Sequence, residues 1–344
     1  MSDDLLQLID LQKLTKWMDD QGLGSGEISA AKILSGGTQN ILLSFDKGDR
    51  AFILRRPPPH PRSNSNNTMR REARMLSALK GTDVPHPELI APCNDKSILG
   101  AAFYLMEPIA GFNATTELPN YHAGDPKVRR EMGFSLVEGI ASLGAIDYLA
   151  VGLEGFGKPD GFLERQVSRW RSQLDSYLEF SEWPGSSAIN GIDTVAKWLV
   201  EKCPTSYEPG IIHGDYHLAN VMFHYDSPKL AAIVDWELTT IGDPLLDLGW
   251  LIATWPGDNP TLTTSVTPWK GFPNIEALIE HYGLHSSRDL NNINWYGVLA
   301  CYKLGIILEG TFARACAGKA PKETGDKLHA TTLSLFNRAL ELIS

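Results

Sequence analysis

The chain has 344 residues and a formal net charge of −10, and 43% of its residues are hydrophobic and 21% charged. Length and composition indicate a folded globular protein with one elaborated domain or two lobes. The acidic balance argues against general nucleic-acid binding, because phosphate recognition needs concentrated lysine and arginine.

Cysteine usage and the N-terminal sequence predict a cytoplasmic protein. Cys93, Cys203, Cys301 and Cys316 are scattered and form no CxxC pair, which is typical of reduced thiols. The N-terminal stretch "MSDDLLQLID" lacks the basic region of a signal peptide, and we find no apolar stretch near the roughly 18 residues that a membrane span needs. We therefore expect no membrane or nucleic-acid partner, and the sequence leaves the oligomeric state open.

The first hundred residues read mostly as strands, with helices placed among them. Hydrophobic periodicity predicts a helix over 4–20 and a helix over 68–79 with Thr68 as its cap. The predicted strands cover 28–34, 41–45 and 51–56, with a turn at 46–49, and a strand pair is predicted within 97–111. The proline-rich run at 56–67 is predicted to be a loop.

The remainder reads as mainly helical, with one short β element. Helices are predicted over most of 125–200 and over 294–318, and the segment 211–235 is strand-like. Asp243-Pro244 predicts a helix start, with the carboxylate as the cap and proline at the first helical position.

The stretch "IIHGDYHLANVMF" at 211–223 concentrates polar, titratable residues between apolar runs. His213, Asp215 and His217 have the spacing of a metal-binding cluster. Alternatively, Asp215 and Asn220 are the two functional residues of a catalytic loop, or the polar side chains only form hydrogen bonds with buried backbone groups.

The residues that follow favour the catalytic loop. A turn at Ser227-Pro228 would fold 220–235 into a hairpin in which Val221 faces Val234 and Asn220 lies opposite Asp235. An amide oxygen beside a carboxylate suits Mg²⁺, and a further carboxylate held off the metal can accept a proton from a hydroxyl.

"HGDYHLAN" followed by "IVDWELTTIGDPLLDL" resembles the aminoglycoside phosphotransferase and choline-kinase-like family, a branch of the protein-kinase-like fold. "FLERQVSRW", "TDVPHP" and "KLGIILEG" are similar to the subgroup whose kinase-like domain is fused in some proteins to acyl-CoA dehydrogenases. The resemblance covers roughly residues 30 to 340. It implies an α+β, bilobal fold, with a small β-rich N-lobe and its leading helix at 1–107 and a larger, mainly helical C-lobe at 108–344.

The resemblance also assigns roles near the loop. It makes Asp215 the catalytic residue that accepts the proton of the substrate hydroxyl, and Asn220 and Asp235 the Mg²⁺ ligands. His213 and His217 are expected to orient the loop through hydrogen bonds. Asp247 is expected to support the loop from the first turn of the following helix, which Asp243 caps.

For the nucleotide, the resemblance points to three groups of residues. "SGGTQN", with Gly36, Gly37 and Thr38, would be the turn over the phosphates. Arg55 or Arg56 would replace the kinase lysine and pair with Glu72. Ile53 on the strand would face the adenine, and backbone groups of Met106, Glu107 and Ile109 in the lobe connector would bind its edge.

The function implied is transfer of a phosphoryl group from ATP, or GTP, to a hydroxyl of a small molecule, assisted by Mg²⁺. The acceptor would be a hydroxyacyl compound or an aminoglycoside-like compound. Two rivals stay open: a non-catalytic nucleotide-binding protein, suggested by the arginine in place of lysine, and a metallohydrolase that uses His213, Asp215 and His217.

Overall fold

The structure is a computed structural model that describes residues 9–34, 40–58, 63–256 and 265–344. The helices in this part of the chain are α1 Leu11–Asp20, α2 Ser65–Leu79, α3 Lys96–Leu99, α4 Asn120–Gly124, α5 Pro126–Ala145, α6 Glu164–Ser176, α7 Ile192–Glu201, α8 Leu245–Thr254, α9 Ile275–His285, α10 Ile293–Cys316 and α11 Lys322–Ile343. The strands are β1 Ile28–Ile33, β2 Ile41–Lys47, β3 Arg50–Arg56, β4 Leu89–Cys93, β5 Phe103–Met106, β6 Gly210–Ile212, β7 Val221–Phe223, β8 Leu230–Ile233 and β9 Thr240–Gly242.

The N-terminal part is built on an antiparallel sheet of five strands in the order β1-β2-β3-β5-β4. The first three strands lie where the sequence predicts them, and the tight connection at Gly48 brings Lys47 opposite Arg50. Where β3 pairs with β5, Arg55 lies opposite Tyr104 and Ile53 opposite Met106. This register places Arg55 at the centre of the sheet, facing α2.

Two local predictions in this part are wrong. The stretch 97–111 holds one strand instead of a pair, because Asp95 accepts a hydrogen bond from Ser97 N (2.8 Å) and starts the short helix α3. Besides β3, β5 pairs with β4, a strand that contains Pro92 and that we did not predict. Helix α2 begins at Ser65, so Thr68 lies inside its first turn and is not the cap.

The leading helix covers one face of the five-stranded sheet. Its predicted first residues fall outside the described part of the chain, and the described helix begins at Leu11, where Asp10 accepts a hydrogen bond from Lys13 N (3.0 Å). Leu14 and Met18 on its inner face are fully buried. Together with residues of β2, β3 and β5 they form the smaller of two hydrophobic cores.

Helix α2 carries two arginines that reach across to the C-terminal part. Arg71 donates hydrogen bonds to the carbonyls of Phe156 (2.8 Å) and Thr239 (3.0 Å), and its guanidinium lies over the Phe156 ring. Arg74 donates to the carbonyl of Gly152 (2.7 Å). These bonds fix α2 relative to the segment that leads into β9.

The C-terminal part is mainly helical, as predicted, and its helices contain most of the larger core. Its central helix α10 agrees with the predicted helix to within about two residues at each end. In the described part of the chain, α10 is the one helix long and apolar enough to cross a membrane, which our reading of the sequence missed. Of its most apolar window, 67% is buried against other helices, as in the core helix of a folded domain. The boundary at residues 107 and 108 stays a prediction.

Candidate active site

The stretch 211–223 forms a loop between two short antiparallel pairs. The strand β6, which leads into the loop, pairs with β9, and β7, which leaves it, pairs with β8. Between them, Leu218–Asn220 form a single helical turn that His217 caps through a hydrogen bond from Ala219 N to Nδ1 (3.2 Å). Both ends of the loop are therefore anchored in regular structure, and Asp215 lies at its middle.

Asp215 is half-buried and held by hydrogen bonds at both carboxylate oxygens. Trp250 Nε1 donates to Oδ1 (2.9 Å), and Asn220 Nδ2 donates to Oδ2 (3.0 Å). Burial disfavours the charged form, but the hydrogen bond from His217 and the nearby positive charge of Lys303 outweigh it and lower the pKa of Asp215 to about 2. Asp215 is consequently an oriented, ionised carboxylate at neutral pH.

The two histidines use both ring nitrogens within the loop. His213 is fully buried; its Nε2 donates to the carbonyl of Val234 (2.9 Å) and its Nδ1 accepts from Asp215 N (3.3 Å). His217 Nε2 faces Asp215 Oδ1 at 3.3 Å, while its Nδ1 caps the helical turn. This bonding matches the predicted orienting role and leaves no ring nitrogen directed at a shared metal.

The hairpin forms, but its predicted register is wrong by one residue. Val221 lies opposite Ile233 instead of Val234, and a bulge follows Met222. Asp235 leaves the ladder in the left-handed region, with φ 67°, and Val234 N donates to Asn220 O (2.9 Å). Asn220 and Asp235 are still brought together, because the hydrogen bond joins Asn220 to the residue next to Asp235.

These two side chains have the donor chemistry that Mg²⁺ prefers. Asn220 Nδ2 is bound to Asp215 O (2.9 Å) and Asp215 Oδ2 (3.0 Å), which directs the amide oxygen away from Asp215. The side chain of Asp235 is 38% exposed, so solvent reaches it. An amide oxygen and a solvent-accessible carboxylate on adjoining backbone fit the ligand set predicted from the sequence.

Arg55, and not Arg56, contacts the predicted partners. Arg55 Nε lies 2.9 Å from Glu72 Oε2, and Arg55 Nη2 lies 2.6 Å from Asp235 Oδ1. Tyr104 OH also donates to Glu72 Oε2 (2.8 Å). Burial alone would lower the pKa of Arg55, but the two carboxylates outweigh it and raise it, so the guanidinium stays charged. Arg56 turns to the other face of the strand, where Nε donates to Pro57 O (3.1 Å).

Only some of the residues predicted to contact the nucleotide lie in the described part of the chain. Gly36, Gly37 and Thr38 lie outside the described residues. Ile53 is buried on the strand face that Arg55 shares. Met106 ends β5.

The lobe connector differs in detail from the expectation that its backbone groups bind adenine. The backbone N–H of Glu107 donates to Glu88 O (2.9 Å), and the carbonyl of Ile109 accepts from Gly111 N (3.1 Å). The Glu107 side chain pairs with Arg50. The Glu107 N–H is therefore already used within the protein.

Asp247 supports the loop in the way the sequence predicts. Its two oxygens accept hydrogen bonds from His213 N (2.6 Å) and Gly214 N (2.8 Å), and burial raises its pKa to about 7. Asp243 accepts from Leu245 N (3.0 Å) and from the hydroxyl of Tyr296. Helix α8 begins at Leu245, one residue later than predicted, so Pro244 and not Asp243 stands at the cap position.

Sequence reasoning missed the cation beside the catalytic loop. Lys303 on α10 donates from Nζ to Gly214 O (2.9 Å), and its Nζ lies 4.1 Å from the centroid of the Trp250 ring. Burial lowers its pKa to about 8, although Asp215 and Asp247 oppose that shift. A lysine within the apolar run "GVLACYKLGIIL" is the signal that could have identified it.

The fold has the bilobal, protein-kinase-like architecture of phosphotransferases. A candidate aminoglycoside phosphotransferase of Ralstonia eutropha JMP134 superposes with TM-score 0.80 at 26% identity, covering 96% of this chain and 98% of that one. An aminoglycoside phosphotransferase mutant solved with AMP-PNP and hygromycin B has TM-score 0.57 and 17% identity, covering 94% and 98%.

The match to the phosphotransferase enzyme family extends over residues 30–265, and the chain belongs to that family. Acyl-CoA dehydrogenase family member 11 of Gallus gallus is 31% identical over 90% of this chain. This chain spans 40% of that relative's length. The fold class and the family resemblance expected from the sequence are both confirmed.

Proposed function

We propose that the protein is a small-molecule kinase that transfers the γ-phosphoryl group of ATP to a hydroxyl group. The observation that carries this proposal is the setting of Asp215. The carboxylate is ionised and fixed by Trp250 and Asn220, and it adjoins the hairpin that carries Asp235. A base with these properties can orient a hydroxyl and accept its proton.

The reaction uses few protein groups. The acceptor hydroxyl oxygen forms a bond to the γ-phosphorus, the bond from that phosphorus to the bridging oxygen of ADP breaks, and the hydroxyl proton passes to Asp215. Asn220 and Asp235 would hold Mg²⁺, which supplies neutralisation of charge on the phosphate oxygens. Arg55, oriented by Glu72, would then be available to bind phosphate, since a guanidinium stays charged and can bond two oxygens.

ATP is the proposed donor, and GTP is the alternative to test beside it. A structural neighbour was solved with the ATP analogue AMP-PNP, and another with GDP and kanamycin. Both are aminoglycoside phosphotransferases, so they support a nucleoside triphosphate without deciding the base.

For the acceptor, the charges near the loop favour a hydroxyacyl compound over an aminoglycoside. Lys303 and Arg169 lie close enough together for Arg169 to lower the pKa of Lys303. A groove of about 570 Å³ beside Thr240 is lined by Lys158, Arg165 and Arg169. Cations along this face would repel a polyamine and attract a carboxylate or phosphate group.

Two rival functions are less well supported. A metallohydrolase would need ring nitrogens of His213 and His217 free for metal, but both rings are bonded within the loop. A nucleotide-binding protein without catalysis is suggested by the arginine at position 55, yet Asp215, Asn220 and Asp235 are all present and close together. A cytoplasmic location is part of the proposal, and all four cysteines are unpaired.

Thermal unfolding with ATP or GTP, each with and without Mg²⁺, tests the nucleotide site. Saturation at a hundred times the dissociation constant stabilises a protein by about 2.7 kcal/mol, which is an easily measured shift. We expect a Mg²⁺-dependent rise that Asp235→Ala loses and that Asp226→Ala, an exposed change in the same hairpin, retains. No response of the folded wild type to either nucleotide would overturn the proposal.

Asp215→Asn separates catalysis from binding. The variant should keep the Mg²⁺-dependent stabilisation by nucleotide while losing ADP release in the presence of a panel of hydroxylated acids, acyl thioesters and aminoglycosides. Retention of full transfer activity would remove Asp215 from the mechanism, and nucleotide binding without transfer in the wild type would favour the non-catalytic alternative.

A further inference from the structure

A second cluster of ligating side chains lies between α5 and α9. Glu138 comes from α5, and His281 and His285 lie four residues apart on one face of α9. His281 Nε2 is 2.9 Å from Glu138 Oε1, and His285 Nε2 is 3.9 Å from the same oxygen. All three ligand atoms lie within 4.8 Å of one another.

Neighbouring groups fix the orientation of both histidine rings. His285 Nδ1 bonds to the carbonyl of His281 (2.9 Å), so Nδ1 carries the hydrogen and Nε2 keeps its lone pair. His281 Nε2 donates to Glu138 Oε1 (2.9 Å), and a bound metal ion would take the place of that hydrogen. The ring of His281 stacks on Phe134, with centroids 4.2 Å apart and an interplanar angle of 15°. A backbone carbonyl on the second ring nitrogen is the usual way in which proteins fix a metal-binding histidine.

The spacing matches a tetrahedral metal ion. Zn²⁺ binds histidine nitrogen and carboxylate oxygen at about 2.0–2.2 Å, which places tetrahedral ligands about 3.3 Å apart. The separations of His281 Nε2 and His285 Nε2 from Glu138 Oε1, 2.9 and 3.9 Å, lie on either side of that value. Small side-chain rotations of Glu138 and His285 would equalise them, and both side chains are more than 40% exposed, so an ion can enter.

We propose that Glu138, His281 and His285 form a transition-metal site, with Zn²⁺ as the best match. Two imidazoles with one carboxylate suit zinc, whereas Mg²⁺ prefers oxygen ligands, so the ion of the phosphoryl-transfer site would not compete. Three protein ligands leave the fourth position to water.

The site would tie α9 to the helix that supports the catalytic loop. Tyr216, the neighbour of Asp215, donates from its hydroxyl to the carbonyl of Leu136 (2.8 Å), two residues before Glu138 on α5. Bound metal would therefore stabilise the folded state and hold α5 behind the loop. This inference does not depend on the phosphotransferase proposal.

Zinc uptake by the full chain, freed of any affinity tag and stripped with a chelator, tests the proposal. Competition with a chromophoric chelator should show one Zn²⁺ per chain, and Co²⁺ in its place should give the visible absorption bands of a tetrahedral site. Zn²⁺ should also raise the unfolding temperature. No uptake by the folded wild type would overturn the proposal.

Variants locate the ion. His281→Ala and His285→Ala should each lose the bound zinc and the Co²⁺ spectrum, whereas His224→Ala, an exposed histidine elsewhere, should retain both. Circular dichroism establishes that each variant is folded. Uptake that persists in both His281→Ala and His285→Ala would show that the ion binds elsewhere and would overturn the assignment. Nucleotide-dependent stabilisation should be unchanged in these variants, which separates this test from that of the kinase proposal.

Discussion

Arg55 and Asp235, 180 positions apart in the sequence, form an ion pair across the two parts of the chain, with Nη2 and Oδ1 2.6 Å apart. The same guanidinium lies against Glu72, whose side chain is 1% exposed. Arg55 therefore neutralises the buried carboxylate of Glu72 and also contacts Asp235, a proposed Mg²⁺ ligand. A phosphate group and Mg²⁺ arriving together would give Arg55 and Asp235 new partners of opposite charge.

Arg55→Met should destabilise the protein by about 3–5 kcal/mol, because it leaves Glu72 buried without its cation. The free energy of unfolding in urea measures the loss. Arg50→Met, on the same strand, removes a surface pair with Glu107 and a contact with the Phe52 ring, and it should cost about 1 kcal/mol or less. Stability unchanged in Arg55→Met would mean that Glu72 is protonated in the folded protein and needs no partner.

Asp247→Asn should weaken the catalytic loop, because an amide has one acceptor oxygen, whereas both oxygens of the Asp247 carboxyl group accept hydrogen bonds, from His213 N and Gly214 N. We expect a loss of about 1–3 kcal/mol at acid pH and a lower kcat with unchanged nucleotide binding. Asp193→Asn, on an exposed helix, is the matched control.

Asp247→Asn should also change how the free energy of unfolding depends on pH. Burial raises the pKa of Asp247 from 3.8 to about 7, so the folded state holds this proton more tightly than the unfolded state. The stabilisation of the folded state by this bound proton is fully present below about pH 4 and is lost as pH rises toward 7. The difference in unfolding free energy between wild type and Asp247→Asn should shrink over that interval. A difference that is constant with pH would show that Asp247 titrates normally.

Gly214→Ala should be more damaging than an ordinary glycine substitution. Gly214 has φ +90°, and an added Cβ would lie 2.6 Å from the carbonyl oxygen of Leu238. The strain and the overlap together should cost about 2–5 kcal/mol. Gly81→Ala has a similar φ of +78° but open space around the Cβ, so about 1 kcal/mol is expected in urea unfolding. Equal losses would place the whole effect in the backbone conformation.

Lys303→Met tests the cation beside the loop. Burial lowers the pKa of Lys303 to about 8, so the lysine loses its charge as the pH rises through that value. With an anionic acceptor, kcat/KM should fall above about pH 8 in the wild type, while the variant should be slow throughout and lack that fall. Lys303→Arg, which stays charged, should retain activity at high pH if the charge alone matters. An acceptor KM unchanged in Lys303→Met would exclude this role.

Much of the site could be predicted from the sequence because its residues are local. Asp215, Asn220 and Asp235 lie within 21 positions, and hairpin geometry brings them together even with the register wrong by one. The slip itself was not predictable, because it arises from a bulge after Met222 and from the left-handed backbone of Asp235.

Features that depend on tertiary packing were missed. β4 contains Pro92, which argues against a strand in isolation, and it forms because β5 offers an edge for pairing. Lys303 reaches Gly214 from a helix 89 positions away, a proximity that no local pattern encodes. That Arg55 and not Arg56 pairs with Glu72 likewise depends on where α2 lies against the sheet.

The arginines of α2 have a consequence for how this protein tolerates mutation. The hydrogen bonds of Arg71 and Arg74 end on the backbone carbonyls of residues 152, 154, 156 and 239. Every amino acid supplies a carbonyl, so side-chain substitutions at Glu154 and Thr239 leave these acceptors in place. Phe156 is different, because both guanidinium groups also lie over its ring. The contact between the two parts of the chain should therefore be most sensitive to changes at the two arginines and at Phe156.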